Sequence, residues 1–69
     1  MENNTVNNLT TYDLDRHLAI KQIGHYLHIK QASAGIGDKT EYRRVTDIID
    51  KLVIEYGVQA LLEAEDELL

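Results

Sequence analysis

The clearest alternation of apolar and polar positions lies between residues 42 and 56. Apolar side chains recur there at steps of three and four residues, which places them on one face of an α-helix with polar residues opposite. That face is formed by Val45, Ile48, Ile49, Leu52, Val53 and Tyr56, with Tyr42 at its edge. Asp38 followed by Glu41 is typical of an N-terminal capping box, and Gly57 is well placed for a C-terminal cap. The pattern predicts an amphipathic helix around which the other segments pack.

A second pattern predicts a longer helix from about residue 11 to residue 33. Thr10 followed by Asp13 repeats the capping pattern at its start. The apolar side of this helix gathers Tyr12, Ala19, Ile20, Ile23, Tyr26 and Leu27. Leu18 and Ile29 lie off that side, so the apolar stripe is wider than one partner helix can cover.

Glycines mark the connections between the predicted helices. We expect Gly35 to cap the first helix and Gly37 to add freedom before the next one. Gly24 lies inside the first helix, where we expect it to allow close approach of a neighbouring helix. In a helix continued straight through Gly57, the apolar residues of 58–69 would point away from the preceding apolar face. We therefore predict a break at Gly57.

These patterns predict an all-α protein: an antiparallel helical hairpin plus a short C-terminal helix. Residues 1–9 are rich in asparagine and are predicted to form a mobile tail, and residues 10–69 a single helical domain. A chain of 69 residues buries little surface, and without cysteine it has no disulfide to compensate. We therefore expect a homodimer, in which a second copy enlarges the core.

The negative charge is concentrated at the C-terminal end. The net charge is −5, and the last twelve residues contribute four negative charges with no basic residue nearby in sequence. These acids lie near the end of a helix, where the macrodipole disfavours them, which favours a role beyond solubility. The predicted partner-binding surface is therefore formed by Glu63, Glu65, Asp66 and Glu67. Apolar contacts to a second copy or a partner are predicted for Leu61, Leu62, Leu68 and Leu69. The alternative interpretation is a solubilising surface.

The opposite side of the first helix carries a stripe of His17, Lys21, His25 and His28. A solvated polar face is the simplest interpretation, with a metal site, a pH switch or a phosphate-contacting ridge as the functional ones. Together with Lys30 and Arg44, this stripe would supply the nucleic-acid contacts of an alternative function, a dimeric helical RNA- or DNA-binding protein. We expect Arg43 to pair with Asp47 and Arg44 with Glu41 along the second helix.

No motif in the chain indicates catalysis, a metal site or a cofactor. The glycines of residues 35–37 lie between helices and lack the rest of a phosphate-binding loop. No apolar run approaches the ~20 residues of a membrane span, and the N-terminus lacks the pattern of a signal peptide. An acidic chain is poorly suited to neutralise phosphates, so direct nucleic-acid binding is only the alternative.

The sequence predicts a small cytoplasmic regulator or inhibitor that binds another protein. It would be no enzyme, would use no cofactor and would make no membrane contact. In its sharpest form the prediction is a nucleic-acid mimic that occupies the phosphate sites of a basic DNA- or RNA-binding protein. Such proteins are common among bacteriophage and mobile-element products, and this is an analogy of class only.

Overall fold

A computed structural model describes residues 11–68, which form three helices and no strand. Helix α1 spans Thr11–Ile36, α2 spans Lys39–Tyr56 and α3 spans Val58–Leu68. The all-α prediction is confirmed, and the packing is compatible with a hairpin plus a short third helix. The predicted tail of residues 1–9 lies outside the described residues. Within residues 11–68, no helix is long and apolar enough to cross a membrane.

The turn between α1 and α2 begins three residues later than predicted. Gly35 is still helical, and Gly37 reverses the chain with a positive φ of 74°. The Gly37 N–H donates to the Ala34 carbonyl at 3.3 Å, and the Asp38 N–H donates to the Ser33 carbonyl at 2.9 Å. This pair of bonds is the Schellman arrangement, which requires the left-handed residue one position beyond the helix. The prediction that Gly35 caps α1 is therefore wrong.

The start of α2 has half of the predicted capping box. The Asp38 carboxylate accepts a hydrogen bond from the Glu41 N–H at 3.0 Å, so the N-cap is confirmed. The Glu41 carboxylate does not complete the box, because it accepts two hydrogen bonds from Arg44 at 2.7 and 2.8 Å. The Asp38 N–H is already bonded to the end of α1. One residue thus joins the last turn of α1 to the first turn of α2.

The predicted break at Gly57 is confirmed. The Gly57 N–H donates to the Val53 carbonyl at 2.7 Å, and the residue has φ 94° and ψ 161°. Few residues other than glycine adopt this combination. Ion pairs then show the direction of α3, because Arg16 contacts Glu63 and Lys21 contacts Glu67. The pair with the higher residue number on α1 also has the higher residue number on α3, so the two helices run in the same direction.

The core lies where the three helices meet. It is formed by Ile20 and Ile23 of α1, Ile49 of α2, and Ala60 and Ala64 of α3. Helix α1 packs against both other helices, whereas α2 and α3 contact each other least. The element around which the chain is organised is therefore α1, and the expectation that α2 would take that role is wrong.

The buried residues of α1 and α2 follow the predicted apolar faces. Val45 and Ile49 are buried on α2, and Ile48, Leu52, Val53 and Tyr56 are half-buried. Tyr12, at the start of α1, is exposed, although its ring centroid lies 6.0 Å from that of Tyr56. Leu18 is 59% exposed, as expected from its position off the core side.

The position of the core predicts that alanine substitutions at two isoleucines will differ sharply in their effect on stability. Ile23 is 0% exposed and Ile54 is 84% exposed. We expect Ile23→Ala to lower the free energy of unfolding by about 2–5 kcal/mol, because it removes packed methyl groups and leaves a cavity. Ile54→Ala is the matched control and should change it by less than about 0.5 kcal/mol. Urea denaturation followed by circular dichroism measures both. Equal effects would contradict the described core.

Replacement of two glycines by alanine should change the free energy of unfolding in opposite directions. Gly57→Ala should lower the free energy of unfolding by about 1–3 kcal/mol, because alanine is strained at this φ and ψ. We expect from the sequence that Gly24 allows close approach of a neighbouring helix, and this expectation is wrong, because a Cβ added at Gly24 would meet nothing within 4 Å. Gly24→Ala should therefore stabilise α1 by about 0.5–1 kcal/mol. The same denaturation measures both, and an unchanged Gly57→Ala variant would indicate a helix running straight from α2 into α3.

Candidate functional site

Two small residues hold α3 against α1. Ala60 and Ala64 are completely buried, and their four-residue spacing places them on one side of the helix. Because neither side chain extends far, α3 can pack closely against its neighbours at these positions. Glu63 and Glu67 have the same spacing and flank this contact on the side of α1. The backbone of α3 therefore presents two of its four carboxylates to α1.

Both of those carboxylates form ion pairs with α1. Arg16 Nη2 lies 2.6 Å from Glu63 Oε2, and Lys21 Nζ lies 3.3 Å from Glu67 Oε1. The hydrogen bond from Arg16 lowers the pKa of Glu63 and raises the pKa of the guanidinium itself. No basic residue lies near these acids in the sequence, but the fold brings Arg16 and Lys21 beside two of them. Half of the predicted acidic surface is used within the molecule.

The remaining acids lie on the exposed part of α3, and Glu65 also lines a depression that it shares with Leu27, Lys30 and Ala34 of α1. Glu65 and Asp66 are exposed and make no ion pair within residues 11–68. Val58 and Leu62 lie at neighbouring helical angles and are 60% and 48% exposed. We call these four residues the outer face of α3. It combines apolar side chains with carboxylates.

The other three leucines that were predicted to make contacts differ in their accessibility. Leu61 is half-buried against the core of its own chain, so it is not available as a surface contact. Leu68 is 49% exposed at the end of α3. Leu69 lies outside the described residues. Leu62 and Leu68 are therefore the described leucines of this set that a partner can reach.

The residues of the alternative nucleic-acid surface lie on two sides of α1 and on α2. The stripe of His17, Lys21, His25 and His28 shares one exposed side of α1, and Lys30 lies about half a turn away from it. His17, His25 and His28 are exposed on α1. The cations predicted to join them are Lys21, Lys30 and Arg44, and each has another contact. Lys21 pairs with Glu67, Lys30 Nζ lies 5.3 Å from the centre of the Tyr42 ring, and Arg44 pairs with Glu41. Over residues 11–68, no three His, Cys, Asp or Glu side chains are grouped to hold a metal ion.

Basic residues meet instead around the α1–α2 turn. A groove of about 480 Å³ there includes Ala34, Tyr42 and Thr46, and it adjoins a second depression of about 500 Å³ that ends at Leu68. We call the two together the hairpin-tip groove. Its charged residues are the basic Lys30, Lys39 and Arg43 and the acidic Asp38 and Glu65.

The acidic and basic side chains of the hairpin-tip groove are not joined by ion pairs. Lys39 and Arg43 form no ion pair with any described side chain, so the expected Arg43–Asp47 pair is absent. The Arg44–Glu41 pair is present, as predicted. The signal that could have located this groove is the position of Lys30 and Lys39 on either side of the turn, since an antiparallel hairpin brings such residues together.

Comparison with known protein families, curated proteins and solved structures finds no match for this chain. The functional interpretation therefore rests on these two surfaces, the outer face of α3 and the hairpin-tip groove.

The Arg16–Glu63 pair predicts acid sensitivity of α3 docking. The pKa of Glu63 is lower in the folded state than its ordinary value of 4.5, so the contribution of the pair is fully present above that value. It is lost as the pH falls through the lower, folded pKa. Glu63→Gln should reduce the thermal unfolding temperature at pH 7 by a few degrees at most, and its difference from the wild type should shrink as the pH is lowered toward 2, because protonation of the Glu63 carboxylate weakens the pair.

Glu65→Gln is the matched control for this measurement, because Glu65 is on the same helix without an ion pair to a described residue. It should leave the unfolding temperature unchanged at both pH values. If both variants respond alike, the effect comes from the net charge of α3 and not from its contact with Arg16.

Proposed function

We propose that this protein is a small regulator that binds a basic protein through the outer face of α3. The observation that supports this most directly is the combination of exposed Val58 and Leu62 with unpaired Glu65 and Asp66. In protein interfaces, burial of apolar side chains supplies affinity, and complementary charge supplies selectivity and association rate. The proposal includes no catalysis and retains the expected cytoplasmic location.

Nucleic-acid mimicry is the narrower form of this proposal. A mimic must present many carboxylates in place of phosphates, since duplex DNA carries one negative charge per about 1.7 Å of its axis. Glu63 and Glu67 are held by Arg16 and Lys21, which leaves each copy two unpaired acids on α3. The geometry therefore favours an apolar contact with acidic flanks over a continuous array of charge. We retain mimicry as an outcome of the test.

Direct nucleic-acid binding receives less support. Phosphate contacts require cations on one continuous surface, and the candidates Lys21, Lys30 and Arg44 lie apart with contacts of their own. No observation favours a nucleic-acid-binding role for the histidine stripe over that of a solvated polar face.

The test is affinity capture with two variants of equal charge. Glu65→Gln with Asp66→Asn removes two acids from the outer face of α3. Asp47→Asn with Asp50→Asn removes two acids from the exposed side of α2 and is the control. Proteins retained from a bacterial lysate by the wild type and the control, and lost with the α3 variant, are candidate partners. The proposal fails if both variants retain the same proteins as the wild type.

Kinetics with a purified partner then test the electrostatic contribution. Neutralising Glu65 and Asp66 should slow association by about tenfold or more at low salt. The difference from wild type should shrink toward 1 M salt, because the Debye length falls from about 10 Å at 0.1 M to about 3 Å. Loss of competition between the protein and DNA or RNA in the same variant would identify mimicry. An equal slowing by the α2 control would indicate net charge alone.

A further inference from the structure

A cavity of about 480 Å³ lies at the turn between α1 and α2. It is the first of the two depressions of the hairpin-tip groove, and we call it the turn cavity. The end of α1 and the first two turns of α2 line it, whereas Glu65 lines only the second depression. Its volume is within the range of about 300–1,000 Å³ that is typical of small-molecule sites.

The turn beside this cavity lacks the apolar contact that often closes a Schellman turn. That contact joins the residue that donates the longer hydrogen bond, here Asp38, to the residue that accepts it, here Ser33. Both are polar, and the Asp38 carboxylate instead accepts the Glu41 N–H at 3.0 Å. Ser33 is therefore left at the wall of the turn cavity without the apolar cover that the turn usually has.

The hydroxyl group of Ser33 is buried and has no hydrogen-bond partner among the described residues. Ser33 is 4% exposed, and no other polar residue within 11–68 is buried to this degree. A hydroxyl on a helix can donate to the carbonyl four residues earlier, as Thr46 does to Tyr42 at 2.7 Å. A buried polar group without a partner is costly, and in native proteins it points to a bound water, ion or ligand.

Hydrogen-bond donors without partners outnumber free acceptors around the turn cavity. Lys39 and Arg43 lie one helical turn apart, and neither forms an ion pair with a described residue. Asp38 also lines the cavity, but one oxygen of its carboxylate already accepts the Glu41 N–H. Two basic side chains and one acidic side chain leave the cavity with one positive charge. A ligand that fits these walls must therefore supply acceptors.

We propose that the turn cavity binds a small organic anion, in which an apolar or aromatic body carries a carboxylate or phosphate group. The oxyanion accepts hydrogen bonds from the Ser33 hydroxyl and from Lys39 and Arg43, because ammonium and guanidinium groups are common partners of such anions. The body of the ligand lies against Ala34 and the ring of Tyr42. This site requires no contact with the outer face of α3, so it goes beyond the proposed function and does not depend on it.

Titration of the full chain with phenyl phosphate and with benzoate tests the site. The two probes share an aromatic body and differ in the anionic group, so the stronger binder shows which oxyanion the cavity prefers. Amide NMR signals of the residues around the turn should shift saturably, with a dissociation constant on the order of 1 mM for ligands this small. Inorganic phosphate, which has no body, should bind more weakly than phenyl phosphate, and uncharged benzyl alcohol should cause no saturable shift.

Two neighbouring arginines give a matched pair of variants. Arg43 lines the turn cavity, whereas Arg44 does not and pairs with Glu41. Arg43→Gln should weaken binding of the preferred probe about tenfold or more, because it removes a charged hydrogen-bond donor. Arg44→Gln removes the same charge and should weaken binding by less than about twofold, since exposed charges at a distance are screened by salt.

Ser33→Ala distinguishes a hydroxyl that binds the ligand from one that only packs. The substitution removes a buried polar group without a partner, so the ligand-free protein should be as stable as the wild type or more stable in urea denaturation. Binding of the preferred probe should nevertheless weaken about tenfold, because a hydrogen bond to the anion is lost.

Three results would overturn the inference. One is the lack of a saturable shift around the turn with either aromatic anion in the millimolar range. Another is equal weakening by Arg44→Gln and Arg43→Gln, which would place the anion in the separate depression on α2 that both arginines line. The third is unchanged binding by Ser33→Ala, which would assign the partner of the Ser33 hydroxyl to water.

Discussion

The fold depends on one contact, the packing of Ile20 and Ile23 of α1 against helices on two sides. Ile49 closes this contact from α2, and Ala60 with Ala64 closes it from α3. Three of the seven buried apolar residues among those described are alanines, which bury little area each. Nine large apolar side chains remain exposed in the same part of the chain. A core this small gives each buried isoleucine a large share of the stability, and a second copy or a partner would add substantially to it.

The sequence predicted the helices well because periodicity and capping act locally. Asp38 and Gly57 were identified from a few neighbouring residues, and both have the predicted roles. Gly35 and Gly37 lie two residues apart, and the local pattern does not determine which of them leaves the helix. The structure places the positive φ at Gly37, because the Schellman bonds from Gly37 and Asp38 reach back to Ala34 and Ser33.

Tertiary packing was harder to predict, and α3 shows the reason. Hydrophobicity gives weight to Leu61 and Leu62, which the sequence assigns to contacts with a second copy or a partner. Close approach of two helices favours small side chains instead, and the fold buries Ala60 and Ala64 while Leu62 stays half exposed. The ion pairs were hard to predict for the same reason, because they depend on how α3 packs against α1. Arg16 is 47 residues from Glu63 in sequence, and the pair becomes predictable only when α3 is known to run parallel to α1.

Charge is arranged in this chain by fold as well as by composition. The net charge of −5 suggests a uniformly acidic surface, yet Lys39 and Arg43 lie beside the α1–α2 turn without an ion pair to a described residue, and Arg16 and Lys21 pair with two acids of α3. Packing of α3 against α1 therefore decides which carboxylates remain available to a partner: Glu63 and Glu67 are held by α1, whereas Asp66 is exposed and forms no ion pair with a described residue.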